Sequence, residues 1–278
     1  MMKAAFAFAI AALAPPTLAS IARADALPFA SHRAAYSVKL APGSQASNGN
    51  EQGALSATGL IGYEFRGSEC EGYVSNFRQV TQLERAEGGP LALETRSMVF
   101  EDGQAKTIKF QIDATNGDKA DPPIAGSATR GANGETTVDL SKPTQEKANI
   151  GADILFPTQH LQHIVEAAKG GAGSLHARVF DGSDTGKKVF DTLTVVGKES
   201  VEAVPEAGGA EALAKVRRWP VTISYFDEAK KDAPPEYTMS FALFENGVTG
   251  NMKLDYGSFA LQGDLTKLEL LPTPACGK

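Results

Sequence analysis

Along most of the chain, apolar and polar residues alternate with a period of two, the pattern of strands that bury one face. Tyr36, Val38 and Leu40 alternate in AAYSVKL. Leu55, Ala57, Gly59, Ile61, Tyr63 and Phe65 keep one face through LSATGLIGYEF, a long strand softened by Gly59 and Gly62. Ile108, Phe110 and Ile112 alternate with Lys109 and Gln111, and Leu175, Ala177 and Val179 with His176 and Arg178. The C-terminal third repeats the pattern in Tyr237–Leu243, Met252–Tyr256 and Phe259–Leu265. Asn246-Gly247 separates two such runs and is a strong hairpin signal, and Asp102-Gly103 and Asn133-Gly134 hold similar places. Antiparallel neighbours joined by tight turns predict a mainly β fold with one long meandering sheet. A flat sheet of about a dozen strands is unusual, so curling or closure is expected.

One segment breaks this period. FPTQHLQHIVEAAKGG sets Leu161, Ile164, Val165 and Ala168 on one stripe. The spacing predicts a helix over about 158–169, with Thr158 as N-cap, Lys169 in the last turn and Gly170 as the stop. EAVPEAGGAEALAKVRR is rich in Ala, Gly and Glu and is expected to be an inserted surface loop, weakly helical or disordered. Trp219, ahead of Pro220 and a good strand, is expected in the core at the strand's start, with an exposed interface aromatic as the other reading. There is no internal repeat and no linker, so residues 27–278 are expected to form a single domain.

The first residues change the picture. Lys3 followed by the uncharged run Ala4–Ala14 and then Ala22-Arg23-Ala24 and Ala24-Asp25-Ala26 has the layout of a Sec-type signal peptide, residues 1–26. The run is eleven residues long and ends at Pro15-Pro16, against the roughly 20 that a membrane-spanning helix needs. No cysteine stands near the cleavage region, which argues against a lipoprotein anchor. The expectation is therefore a periplasmic chain that does not span the membrane. Removing Lys3, Arg23 and Asp25 takes the net charge from −6 to −7, and the acidic remainder has no basic block, so nucleic acid is not an expected partner.

The two cysteines, Cys70 and Cys276, gain meaning from that compartment. An exported chain with an even, small number of cysteines is expected to pair them; buried free thiols and an intermolecular bridge are the alternatives. A Cys70–Cys276 bond would close a loop over nearly the whole mature chain, worth about 5 kcal/mol at most by loop entropy. It would also require the end of the chain to lie beside an early strand. No CxxC motif is present to suggest redox catalysis.

No other motif points to an enzyme. His160 and His163 supply half of a metal site, with no carboxylate or cysteine at a matching spacing. They are expected to be polar residues flanking the helix stripe, so no metal is expected. Asp184-Thr185-Gly186 matches the aspartic-protease triplet but has no second copy to share a proton. The same stretch, FDGSDTGKK, would need a glutamate where Thr192 stands to make a calcium loop, and is expected to be a turn. Glu69/Glu71 and Glu101/Asp102 are acids of the kind that turns and strand edges collect. There is no nucleophile elbow, phosphate loop or dinucleotide fingerprint. Catalytic residues and cofactors are expected to be absent, and composition points to no ligand-binding residues.

Taken in order, HRAAYSVKL, YEFRGSECEGY, LFPTQH, VFDGSDTGKKVFDT, RRWPVTISYFD, FENGV and LDYGSFALQGDLTKLELLPTPAC resemble the envelope integrity protein B family of alphaproteobacteria. The resemblance covers about residues 32–276, with departures chiefly in 201–216. It implies a long antiparallel β-spiral, an open barrel around one central helix, broadly similar to periplasmic lipoprotein carriers. It likewise implies one disulfide, mapping onto Cys70 and Cys276, and a role in supporting the cell envelope under stress without enzymatic activity. The partners this suggests are periplasmic proteins, lipoproteins or lipid, met by a monomer. A carrier that binds acyl chains or lipoproteins in the sheet's concave face is the alternative function.

Overall fold

The computed structural model describes residues 29–44, 54–85, 87, 89–200, 207–230, 232–274 and 276. The expected signal peptide, 1–26, lies outside them. The strands are β1 (His32–Leu40), β2 (Ala54–Ser68), β3 (Gly72–Arg85), β4 (Leu91–Glu101), β5 (Thr107–Asn116), β6 (Lys119–Ala120), β7 (Ile124–Arg130), β8 (Thr136–Lys142), β9 (Glu146–Gly151) and β10 (Ile154–Leu155). Helix α1 (Pro157–Lys169) follows. Then come β11 (Ser174–Val179), β12 (Phe190–Val196), β13 (Arg218–Asp227), β14 (Tyr237–Phe244), β15 (Thr249–Asp255) and β16 (Ala260–Leu270). All the strands belong to one sheet, ordered β10-β11-β12-β13-β14-β15-β16-β1-β2-β3-β4-β5-β7-β8-β9, with β6 paired to β5. Every pairing is antiparallel except that of β10 with β11.

Alternation predicts the inward face well. Tyr36, Val38, Ala57, Ile61 and Phe65 are all buried. Leu55 departs from its predicted face and is 47 % exposed. The β2–β3 register shifts between Ala54 and Ser56, and this bulge places Ala54 inside instead. Asn246-Gly247 turns β14 into β15, with Gly247 at φ 82°, where a Cβ would meet the Phe29 ring at 2.7 Å. Trp219 lies buried near the start of β13.

The spiral nearly closes on itself. Its two ends, β9 and β10, are consecutive in the chain, separated only by Ala152 and Asp153. Arg178 of β11 spans the seam, donating to the Ala152 carbonyl and, at 3.3 Å, to the Ile150 carbonyl. Glu228 holds the same guanidinium through contacts of 2.8 and 2.9 Å. Arg130 of β7 reaches the Ile154 carbonyl and, at 3.1 Å, Gln159 of α1.

The two rims of the spiral differ. At one rim the chain is knitted together: Ala30 N–H donates to Asn246 at 2.9 Å, Leu271 N–H to Ser31 at 2.7 Å, and Ser31 N–H to the Thr273 hydroxyl at 3.2 Å. Here Cys70, in the β2–β3 turn, is bonded to Cys276, with Cα atoms 5.5 Å apart. Helix α1 lies across the same end, with Lys169 paired to Glu245 of the β14–β15 turn at 3.1 Å. Ile164, Val165 and Ala168 pack against Phe65, Phe190, Trp219 and Leu243. The opposite rim carries the β15–β16 turn with Tyr256 and Phe259.

Two local expectations need correction. Phe156, not Thr158, is the N-cap residue of α1, because Pro157 takes the first helical position, where its missing N–H costs nothing. Within 201–216, the described part has the weakly helical character expected of it, but it is pinned to the sheet and is more than an inserted surface loop. Gly208 bridges to Lys267 of β16, and the 3-10 turn Ala210–Leu213 buries Ala210 and Leu213 against the sheet.

Candidate functional site

The inward faces of β1–β4 and β14–β16 do not meet in the middle. They enclose a chamber of about 670 Å³. Its walls come from cross-strand partners that the registers bring face to face: Tyr36 with Ile61, Tyr63 with Phe77, Gln79 with Thr95, Met239 with Leu254, and Phe241 with Met252. Leu161 of α1 contributes to the inner end. Tyr256, 40 % exposed, and Phe259 line the outer end, with rings 5.3 Å apart. The chamber is thus a pit with a helical floor at the disulfide rim and an aromatic mouth at the other. Tyr36 closes part of the wall by donating its hydroxyl to the Thr249 carbonyl at 2.8 Å, and burial pushes that phenol up to about 12.

A smaller chamber of about 200 Å³ continues inward to the first turn of α1, sharing Tyr63, Leu161, Asp181, Met239 and Phe241 with the larger one. Its polar groups are unusual for so buried a place. Glu101, at the end of β4 and 3 % exposed, accepts the Thr158 N–H at 2.9 and 3.1 Å and the Thr158 hydroxyl at 2.6 Å. The cap that the local sequence of α1 lacks therefore comes from 57 residues upstream. Burial pushes the Glu101 carboxyl up to about 7, against the Thr158 hydrogen bonds that hold it down. His160, 4 % exposed, has no hydrogen-bond partner at Nε2 among the described residues, and burial with His163 nearby depresses it to about 4. Among the described residues, neither chamber is lined by a lysine or arginine.

The residues singled out in the sequence fall in different places. Cys70 and Cys276 sit at the closed rim and line neither chamber. His160 is not a flanking polar residue: it belongs to the buried face of α1 with Thr158, Ile164 and Val165. His176 is at the surface, 2.9 Å from Asp191, and His32 is buried with Nδ1 on the Ala30 carbonyl at 2.7 Å. Among the described residues no three His, Cys, Asp or Glu stand together as metal ligands. FDGSDTGKK does turn, with Ser183 N–H on Asp181 at 2.8 Å and Gly186 N–H on the Ser183 carbonyl at 3.0 Å. It also folds inward, so that Gly182 rests on the Phe110 ring and Asp181 reaches both chambers. Glu101 is not the strand-edge acid that its local sequence suggests. Its phase was the available signal, since it follows Val99 by two and shares that buried face.

No helix among the described residues is long and apolar enough to cross a membrane. The EipB-like family model matches residues 23–272. The chain is 33 % identical over 252 residues to the cell envelope integrity protein EipB of Brucella abortus (strain 2308), covering 90 % of this chain and 87 % of that one. A crystal structure of a β-barrel-like protein of a domain of unknown function, also from Brucella abortus, superposes with a TM-score of 0.80 at 33 % identity. That match covers 89 % of this chain and all of the other. With a family model matching residues 23–272 and a relative 33 % identical over 90 % of the chain, the chain belongs to the EipB-like family.

Proposed function

We propose that this protein supports the cell envelope from the periplasm, without catalysing a reaction, by holding an apolar chain in the larger chamber. The occupant is the acyl chain of a lipid or lipoprotein. The observation that carries this reading is the chamber itself: about 670 Å³, walled mostly by aliphatic and aromatic side chains with Gln79, Thr95 and Asp181 among them, and ending in an aromatic mouth. That volume falls within the range of about 300–1,000 Å³ typical of small-molecule sites. The envelope role rests on the name of the Brucella abortus relative, and the periplasmic location on the signal-like N-terminus. A monomer suffices, because one chain supplies both the walls and the floor.

The test is titration with the uncharged fluorescent probe N-phenylnaphthylamine. Saturable enhancement near one probe per protein is expected. Met239→Trp and Leu254→Trp, which fill the chamber, should each weaken it while the melting temperature stays near wild type. No saturable enhancement, or binding indifferent to both substitutions, overturns the reading.

A further inference from the structure

The turn FDGSDTGKK puts a carboxylate where the two chambers meet. Asp181 is only partly buried and lines both of them. Its Oδ1 accepts the Ser183 N–H at 2.8 Å, and its Oδ2 has no partner among the described residues. The lysines that follow in the same turn are engaged elsewhere: Lys187 pairs with Glu146 at 2.7 Å, and Lys188 with Asp184 at 2.7 Å and Glu236 at 2.6 Å. Asp181 therefore carries a negative charge into a largely apolar space, with an oxygen free to accept and no lysine or arginine on the walls. A cation that brings its own hydrogen-bond donors stabilises such a group.

The walls beside Asp181 suit a cation too. The Tyr225 and Tyr237 rings stack with centroids 4.4 Å apart, Tyr237 lies 6.4 Å from Tyr256, and Tyr256 lies 5.3 Å from Phe259. Tyr225 lines the smaller chamber and the other three the larger, so a ladder of rings runs from the mouth to the junction. Burial and then the Asp181 charge push the Tyr225 phenol up, and burial, Tyr225 and Asp181 do the same to Tyr237. The carboxylate is thus a near neighbour of both. Aromatic faces attract cations, and the two phenol oxygens, without partners among the described residues, can accept from one. An anionic group here would face Asp181 and Glu101 with no counterion on the walls.

We infer that the junction of the two chambers is a cation subsite, in which Asp181 receives the ammonium end of an amphiphile whose chain lies along the larger chamber towards Tyr256 and Phe259. The inference rests on the apolar-chain reading above and adds a charge to the ligand. Its class is a long acyl or alkyl chain carrying an ammonium group, with no anionic group beside it.

Competition against bound N-phenylnaphthylamine separates the two readings. Laurylammonium, lauryl glycerol ether and lauryl phosphate share one chain and are used below micelle formation. Laurylammonium should displace the probe at a concentration lower than the glycerol ether by about fivefold or more, the scale of one charge-assisted hydrogen bond, with lauryl phosphate the weakest. Asp181→Asn keeps the size of the side chain and an acceptor for the Ser183 N–H, and should bring the ammonium and glycerol compounds within about twofold of each other. Asp184→Asn removes a carboxylate of the same turn that lines neither chamber, and should leave the wild-type ratio in place. Any wild-type order in which laurylammonium does not lead overturns the cation subsite and leaves the apolar chamber standing. That order decides the matter even where Asp181→Asn fails to fold. A ratio unchanged in Asp181→Asn, or reduced as much by Asp184→Asn, overturns the role of Asp181. Failure of the probe to bind at all overturns both readings.

Discussion

Glu101→Ala should loosen the floor of the pit. In the wild type the carboxyl accepts the Thr158 N–H and hydroxyl within 3.1 Å, and the site is buried. Removing it leaves the Thr158 N–H without a partner, at a cost of about 1–3 kcal/mol, and strips the helix of its cap. Relief from burying an acid offsets part of that, so a net loss of roughly 1–2 kcal/mol is expected. At about 2–4 °C per kcal/mol for a chain of this size, the melting temperature should fall by roughly 2–8 °C. Glu101→Gln keeps one acceptor oxygen and should recover about half of the loss. Circular dichroism melts at neutral pH read the global effect, and hydrogen exchange of the first-turn amides of α1 reads the local one. If Glu101→Ala melts with the wild type and α1 exchanges no faster, the capping argument is wrong.

Three further outcomes follow from the same geometry. Cys276→Ser opens a crosslink over 206 residues and should lower the melting temperature in non-reducing buffer, by no more than the roughly 5 kcal/mol of the loop-entropy limit; an unchanged melt contradicts a structural role for the bond. The pH response should have two opposed limbs. The Glu101 carboxyl, raised by burial from 4.5 to about 7, gives a contribution that is full below about 4.5 and lost as pH rises through about 7. His160, depressed from 6.5 to about 4, and His32, depressed by burial, contribute above about 6.5 and lose that as pH falls through their folded values. The stability gap between wild type and Glu101→Gln, from denaturant melts, should therefore narrow between about pH 5 and pH 8; a constant gap removes Glu101 from the pH response. Arg178→Ala should open the seam, with faster hydrogen exchange in β9 and β11 than in β2 and β3; uniform exchange would show that the arginine does not hold the two ends.

Much of the architecture was legible in the chain because period-two alternation and tight turns are local. Tyr36, Ile61 and Phe65 face inward as their phase requires, and Asn246-Gly247 makes its hairpin. Leu55 escaped because a bulge depends on the neighbouring strand, which a single strand's pattern does not contain. The end of the chain beside an early strand followed from cysteine count and compartment, without any geometry. The chambers were not legible. Whether inward residues interdigitate or stand apart depends on sheet curvature, and the same alternation serves a filled core and a hollow one. Glu101 and His160 were missed for a related reason. Each is polar and looks like surface in isolation, and each acquires its role only when β4 and α1 meet across 57 residues. FDGSDTGKK was recognisable as a turn, but its inward fold over Phe110 depends on β5, distant in sequence.

The central claim, an occupied apolar chamber, is tested most directly by purifying the native protein from the periplasm without detergent and extracting it with organic solvent for mass spectrometry. The account predicts lipid or lipoprotein acyl species near one per protein, with markedly less from Leu254→Trp purified alongside. An extract without acyl species, from fresh protein and again after incubation with lipid vesicles, would contradict it.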